Sequence, residues 1–532
     1  MTGRLTLTWA NKDRALLSHG ESGYEWVDRD DPRAREVRLL DEVGRVGEVN
    51  GDASDNLLIR GDSLDALRAL VHTPEFAAEY RGKVKLVYID PPFNTGQAFE
   101  HYDDSLEHSV WLGMMRERLV LIKELLSPDG SVWVHLDDAE MAYCKVLMDE
   151  IFGRQNFVAT VSWQRTNSPR NSARFLSADV DFVLAYASDV SRLEMNMLQR
   201  SAAMDEKFKN PDSDPRGQWF AADLSARNFY SRGSFEVETP GGRRIGPGAG
   251  RYWSVSPEKL AEMDSDGRIW WGASGNNKPT RKLFLSEVQQ GRVPSTMWLP
   301  EEVGYVRNGK QETKALLGGD PFSTPKPEKL IERVMQVGSN PGDIVLDCFA
   351  GSGTTAAVAH KMGRRWVTVE LSENTADTFT KPRLEKVIAG EDPGGITESA
   401  GWTGGGGFRD LRIASSTWQV LDADAGLEVY RAEAVDGSTL RRAVAAQLGY
   451  ALIEHPVFTG VRGRSRLAVV DGVVDATAVA DIAAALAEGE TALVAGTSVT
   501  DDAQTTLREL NKGSRVVRIP RDLFPRTGAV TR

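Results

Sequence analysis

The sequence is poor in cysteine: Cys144 and Cys348 are the only two in 532 residues. Two thiols cannot build the multi-bridge framework of a small secreted domain, and their scarcity suits a reducing cytosol. No apolar run approaches the roughly 18 residues needed to span a bilayer. The opening stretch MTGRLTLTWANKDR has neither an apolar core nor a small-residue cleavage site. No membrane contact and no export signal are therefore expected, and a cytoplasmic location is. No G-x-x-x-x-G-K-[ST] occurs, which argues against a P-loop motor. The histidines show no metal-ligand spacing with cysteine or with one another, so no metal centre is expected. A positive balance is missing too. At a net charge of −12, the chain cannot coat nucleic acid by general attraction, so any such contact needs a local basic surface.

What is present is an ordinary globular composition, 41% hydrophobic and 26% charged, in a chain long enough for about three domains. NLLIRGDSLDALRALV (56–71) reads as a strand, a Gly-Asp turn and a helix with apolar positions at Leu64, Leu67, Leu70 and Val71. VKLVYI (84–89) is a continuous apolar run, as expected of a strand buried on both faces of a parallel sheet. A helix over 110–126, a Ser-Pro-Asp-Gly turn at 127–130 and the strand SVWVHL follow. From about Gln164 the pattern loosens into short strands and Pro-Gly turns. At Pro325 alternation returns with a helix, the strand DIVLDC, a glycine-rich turn, a helix and the strand WVTVEL. The fold class expected is α/β, a doubly wound, mostly parallel sheet interrupted by an insertion. After GWTGGGG (401–407), a smaller α/β segment follows, with strands near 466–470, 491–495 and 515–519.

Two strand ends carry the chemistry. YIDPPF places Asp90, Pro91, Pro92 and Phe93 after one apolar strand. DIVLDCFAGSGTT places Gly351 and Gly353 between a strand and a helix opening at Thr354, an arrangement that brings backbone close to a ligand. Glu370 closes the next strand, where a ribose-binding carboxylate belongs. The third glycine of the nicotinamide fingerprint is missing. Between 160 and 310 there are 21 Lys and Arg against 18 Asp and Glu, with six of the 13 tryptophans. That balance fits either a nucleic-acid surface or an aromatic core.

Read together, DPPF and FAGSG resemble the motifs of S-adenosylmethionine-dependent DNA amino-methyltransferases. With DPPF ahead of the cofactor loop, the order resembles the permuted β class. FSTPKPEKLIERV, LLIRGDSLDALRAL, LLSPDGSVWVHLDD, KNPDSDPRG, GRIWWG and FLSEVQQGRVPSTMW extend the likeness from about residue 5 to 390. The chain thus resembles the modification (Mod) subunit of type III restriction-modification systems. The resemblance implies a Rossmann-like seven-stranded sheet and S-adenosylmethionine as cofactor, with Asp90, Pro91, Pro92 and Phe93 as catalytic residues. It places Asp347, Phe349, Ala350, Gly351, Gly353 and Thr354 around that cofactor and Glu370 on its ribose. Asp62 falls near the adenine of the cofactor, and Lys326 and Pro327 near its methionine end. Asp62 also reads as a helix N-cap, and Cys348 as a packing residue.

Pattern and resemblance together give the expected domain layout: an N-terminal arm (1–55), a catalytic half (56–163), a target-recognition insertion (164–319), a cofactor-binding half (320–390), and, from composition, a linker (391–407) and a C-terminal α/β domain (408–532). Arg170, Arg174, Arg216, Arg243, Arg244, Arg281 and Lys282 are the candidate DNA contacts. The activity implied is methylation of adenine N6 in double-stranded DNA by a homodimer, with a separate helicase-nuclease restriction subunit as possible partner. Asp rather than Ser at 90 favours adenine over cytosine N4. The shorter rRNA guanine-N2 enzymes have the opposite motif order. A catalytically silent DNA-recognition subunit is the remaining rival.

Overall fold

The computed structural model describes residues 5–19, 23–94, 98–99, 102–103, 107–168, 175–200, 202–288, 291–320, 322–423 and 426–524. The chain divides into two compact units, Met1–Asn196 with Ser295–Arg532, and Met197–Pro294.

The first unit is built on a ten-stranded sheet. In chain order its elements are β1 (Leu40–Gly47), β2 (Asn56–Arg60), α1 (Ser63–His72), β3 (Val84–Ile89), α2 (His108–Leu125), β4 (Leu126–Leu136), β5 (Phe157–Gln164), β6 (Val180–Ala187), β7 (Met297–Trp298), α3 (Val306–Leu317), α4 (Glu328–Gly338), β8 (Ile344–Asp347), α5 (Thr354–Lys361), β9 (Arg365–Glu370) and β10 (Gly407–Ile413). The strand order is β7-β5-β6-β4-β3-β8-β9-β2-β10-β1. The strands from β4 to β10 in that order run parallel. β6 is antiparallel to both β4 and β5.

The apolar runs behave as their composition requires. In β2, Leu57, Leu58 and Ile59 are all fully buried, because successive side chains point to opposite faces and both faces are covered. Val87 and Ile89 pack in one core with Leu64 and Leu67 of α1 and Trp111 and Ile122 of α2. Leu86 faces the other way, where a Cβ on Gly338 of α4 would lie 3.0 Å from its Cδ1. Helices on both faces make the sheet doubly wound.

Four expectations change. The seven expected strands are β2 to β6, β8 and β9, and β7, β10 and β1 extend them. The Gly-rich stretch is not a boundary: β10 starts at Gly407 and pairs with β2, so residues 408–413 complete the main sheet, as does β1 from the expected arm. Ser127–Gly130 is an irregularity inside β4, whose pairing with β3 shifts register there. The expected insertion, 164–319, is wider than the separate unit, residues 197–294, because β6 supplies a full ladder to β4 and α3 belongs to the first unit.

Beyond β10, strands Ala451–Leu452, Gly460–Arg462, Ser465–Val474, Thr491–Val499 and Arg515–Arg518 form a second sheet, the last three parallel. This segment is tied to the N-terminal arm by Val37 and Leu39 packing on Ala443 and Ala446. In the unit 197–294, strands Trp219–Asp223, Thr280–Phe284 and Ile269–Trp270 form an antiparallel sheet. Its tryptophans are mainly core, since Trp219, Trp253 and Trp271 are buried. The aromatic half of the nucleic-acid signal is therefore structural.

Candidate active site

Four adjacent parallel strands each deliver one carboxylate at the carboxyl end. Asp90 follows β3, Asp347 ends β8, Glu370 ends β9, and Asp62 stands two residues past β2. This is where open α/β sheets bind ligands. The four line one cavity of about 720 Å³, within the range of about 300–1,000 Å³ typical of small-molecule sites. Pro91, Pro92, Phe93, Lys326, Phe349, Ala350, Gly351 and Thr354 line it as well. Gly353 and Pro327 do not. Gly353 packs on Thr380, whose Cγ2 would lie 3.1 Å from an added Cβ, and Pro327 is the N-cap of α4.

At the Asp-Pro-Pro-Phe end, Trp111 Nε1 donates to the Pro92 carbonyl at 2.7 Å, which fixes the course of the two prolines. Asp90 Oδ2 accepts from Lys326 Nζ. Asp90 Oδ1 is buried and has no hydrogen-bond partner among the described residues. A buried acceptor without a donor is unfavourable, so this oxygen is suited to receive a ligand N–H. Phe93 stacks on His135, ring centroids 5.8 Å apart, and Lys326 Nζ lies 5.1 Å from the Phe93 centroid. His135 is held in turn by Tyr88 Oη, 2.8 Å from Nδ1, while Asp181 Oδ2 lies near, 3.5 Å from Nε2. Burial, with the nearby Lys326 ammonium adding to it, depresses the His135 imidazole below its usual range.

At the glycine-rich end, Gly351 has φ 51° and Gly353 φ 76°, the left-handed region that glycine enters without strain. An added Cβ at Gly351 would meet the Phe322 ring at 3.3 Å. Glu370 Oε2 accepts from Gly351 N at 2.8 Å and Oε1 from Ser372 N at 3.0 Å, so the carboxylate ties the loop to the next strand. Asp347 accepts from Phe349 N at 2.9 Å. Burial nevertheless pushes its carboxyl up to about 7. Asp62 caps α1 through Leu64 N at 2.7 Å and pairs with Arg118 Nη2 at 2.8 Å. It is both the N-cap and a cavity residue. Cys348 is buried, and burial raises its thiol, in keeping with packing.

Arg118, His135, Arg165 and Asp181 were not readable as site residues. Each becomes one through a pairing across the fold, and HLDD around His135 carried only a family likeness. Among the candidate DNA contacts, Arg170 and Arg174 lie outside the described residues. Arg243, Arg244 and Arg281 are exposed. Arg216 and Lys282 are corrected. Arg216 makes a two-pronged pair with Asp214 at 2.9 Å on each prong. Lys282 is buried between Asp212 and Asp214. Their charges are spent inside the unit.

A family model described as DNA methylase, N6_N4_Mtase, matches residues 84–381, from the strand before Asp90 to beyond Glu370. The chain belongs to this DNA methylase family. It is 30% identical to the "Probable type III restriction-modification enzyme HindVI Mod subunit" of Haemophilus influenzae, over 69% of this chain and 56% of that protein. It is 27% identical to the type III enzyme StyLTI Mod subunit of Salmonella typhimurium, over 69% and 62% of the two. With the type II methyltransferase M.EcaI of Enterobacter cloacae the identity is 31%, over 56% and 64%. The chain therefore spans between about half and two thirds of the length of these three relatives. Among solved structures it is similar to the cytosine-N4-specific PvuII DNA methyltransferase, with TM-score 0.35 and 16% identity over 66% of this chain and 94% of that one. Against the M1.HpyAVI–SAM complex the TM-score is 0.31, with 18% identity over 62% and 98%.

Proposed function

We propose that this DNA methylase transfers a methyl group to the N6 of adenine within a short sequence of double-stranded DNA. The observation that carries the reading is Asp90 Oδ1, a buried acceptor without a donor, beside an aromatic ring that faces the same cavity. The N6 lone pair is delocalised into the adenine ring, so the amine is a poor nucleophile. Asp90 Oδ1 and the Pro91 carbonyl would accept its two hydrogens and favour the pyramidal geometry of the transition state. Because Lys326 holds Oδ2, it is Oδ1 that is left for the amine. Phe93 would stack on the base once it is extruded from the duplex.

The donor is S-adenosylmethionine, which when bound would supply a methyl group on a sulfonium; the neutral thioether is the leaving group, and one N6 proton is lost to solvent. The cavity suits this donor: its size is right, and the left-handed turn at Gly351 admits close approach. Glu370 would accept from the ribose beside that turn, Asp62 would face the adenine, and the Asp347 carboxyl would answer a cationic ligand. Asp rather than Ser at 90 supports adenine over cytosine. The Mod names of two relatives support a type III restriction-modification setting; a homodimer, a separate helicase-nuclease subunit and a cytoplasmic location are proposed with it from the motif resemblance. The unit 197–294 is proposed to recognise the target through exposed Arg243, Arg244 and Arg281, and the C-terminal α/β segment to dock other subunits.

Purified protein incubated with labelled S-adenosylmethionine and plasmid DNA should label the DNA, and Asp90→Ala should abolish labelling. Equal labelling by Asp90→Ala would refute the assignment.

A further inference from the structure

Five cationic side chains line the cavity: Arg118, Arg165, Arg307, Lys310 and Lys326. Three are committed to carboxylates, Arg118 to Asp62, Arg165 to Asp181 and Lys326 to Asp90. Arg307 and Lys310 are exposed and have no carboxylate partner among the described residues. Both belong to α3, and Lys314, also exposed and without such a partner, continues the series. Spacings of three and four residues put the three on one helix face. Like charges so arranged oppose helix formation unless an anion answers them. In a chain of net charge −12, this face runs against the overall sign.

The opposite face of α3 is fixed to the strap of Pro325 and Lys326, which lines the cavity. Gly309, Thr313 and Leu316 are buried. An added Cβ at Gly309 would lie 2.2 Å from the Pro325 carbonyl oxygen, so helix and strap meet backbone to backbone. The next residue of that strap, Lys326, bonds Asp90. Anything held by Arg307 and Lys310 is therefore in register with Asp90 through a rigid contact. The N-terminal end of α3, also at the cavity, adds partial positive charge of the same sign.

We propose that the Arg307–Lys310–Lys314 face of α3 grips the phosphodiester backbone of the strand whose base enters the cavity. Arg307 and Lys310 take the phosphates beside the extruded nucleotide, and Lys314 takes one further along. Such contacts position a strand without reading its sequence. The proposal rests on the methyltransferase reading and adds where the substrate backbone lies.

The test is binding of full-length protein to duplex DNA by fluorescence anisotropy across a salt series, using wild type, the triple variant Arg307→Ala/Lys310→Ala/Lys314→Ala, and Arg307→Lys. The slope of log affinity against log salt should flatten by about 0.9 for each contact removed. Target and non-target duplexes should lose affinity alike. Arg307→Lys should keep the wild-type slope, and cofactor binding and melting temperature of the triple variant should not change. A triple variant that folds, binds cofactor and retains the wild-type slope overturns the phosphate face while leaving the methyltransferase reading intact. A wild type that binds DNA but never methylates it overturns the reading beneath.

Discussion

Phe93 lies nearly parallel to His135, ring centroids 5.8 Å apart and planes inclined by 19°. Phe93 lines the cavity and His135 is wholly buried, so the imidazole is the floor on which the Phe93 ring rests. Replacing Phe93 by Ala should remove about 1–3 kcal/mol of base stacking. His135→Ala should act in the same direction by letting Phe93 tilt. His135→Phe should keep the flipped base while lowering stability by about 1–3 kcal/mol, because the Tyr88 hydroxyl loses its partner. Fluorescence of 2-aminopurine placed at the target adenine reads flipping, and urea denaturation reads stability. Equal flipping signals from His135→Ala and wild type would remove His135 from the account.

Asp90 makes a second prediction separable from binding. Asp90→Asn keeps the shape but presents an amide, and Asp90→Ala removes the acceptor. Each should lower kcat by about 10²–10³ or more, while cofactor affinity, measured by calorimetry, stays within a few-fold of wild type. A large loss of cofactor affinity with little change in kcat would move Asp90 to the cofactor side.

Asp347 carries a pH dependence. Its carboxyl, raised by burial to about 7, binds a proton in the folded protein at pH values where the unfolded chain has released it. Its contribution to stability is therefore fully present below the ordinary carboxylate range and is lost as pH rises toward 7. A cationic ligand favours the ionised form and draws that proton off. Affinity for S-adenosylmethionine should then rise with pH between about 5 and 7, with proton release on binding detectable by calorimetry in buffers of different ionisation enthalpy. Asp347→Asn should flatten both dependences. An unchanged pH profile in that variant would contradict the assignment.

Much of this site was legible in the sequence because its parts are local. An apolar run followed by Asp-Pro-Pro-Phe, and another followed by a Gly-x-Gly turn, each declare a strand end and what it presents. What stayed hidden depends on pairing across the chain. Gly407 read as linker because its composition is that of one, and only the partner strand at Asn56 makes it the start of β10. Lys282 and Arg243 are indistinguishable as letters. Asp212 and Asp214 bury the charge of the first, and no carboxylate among the described residues pairs with the second. His135 is likewise ordinary until the fold sets it under Phe93.

The frame behind the Gly351–Gly353 turn rests on buried charge. Glu328 accepts from Lys361 Nζ at 2.8 Å and from Arg383 Nη2 at 2.8 Å, and Lys361 also bonds Asp392 at 2.6 Å. Arg383 in turn donates to Thr354 Oγ1 at 2.8 Å, at the start of α5. Lys361→Met leaves Asp392 without its cation and Glu328 with one fewer. It should destabilise the protein by about 3–5 kcal/mol, measured as a lower urea midpoint. A midpoint equal to wild type would mean that the network contributes little.

The central claim is that Asp90 directs methyl transfer to adenine N6. Long-read sequencing of DNA from a host expressing the wild-type chain or Asp90→Ala tests it most directly. Wild type should give N6-methyladenine throughout one short motif, and the variant at most a trace. N4-methylcytosine at that motif, unmodified DNA with the folded wild-type protein, or methyladenine at the wild-type level in Asp90→Ala would contradict it.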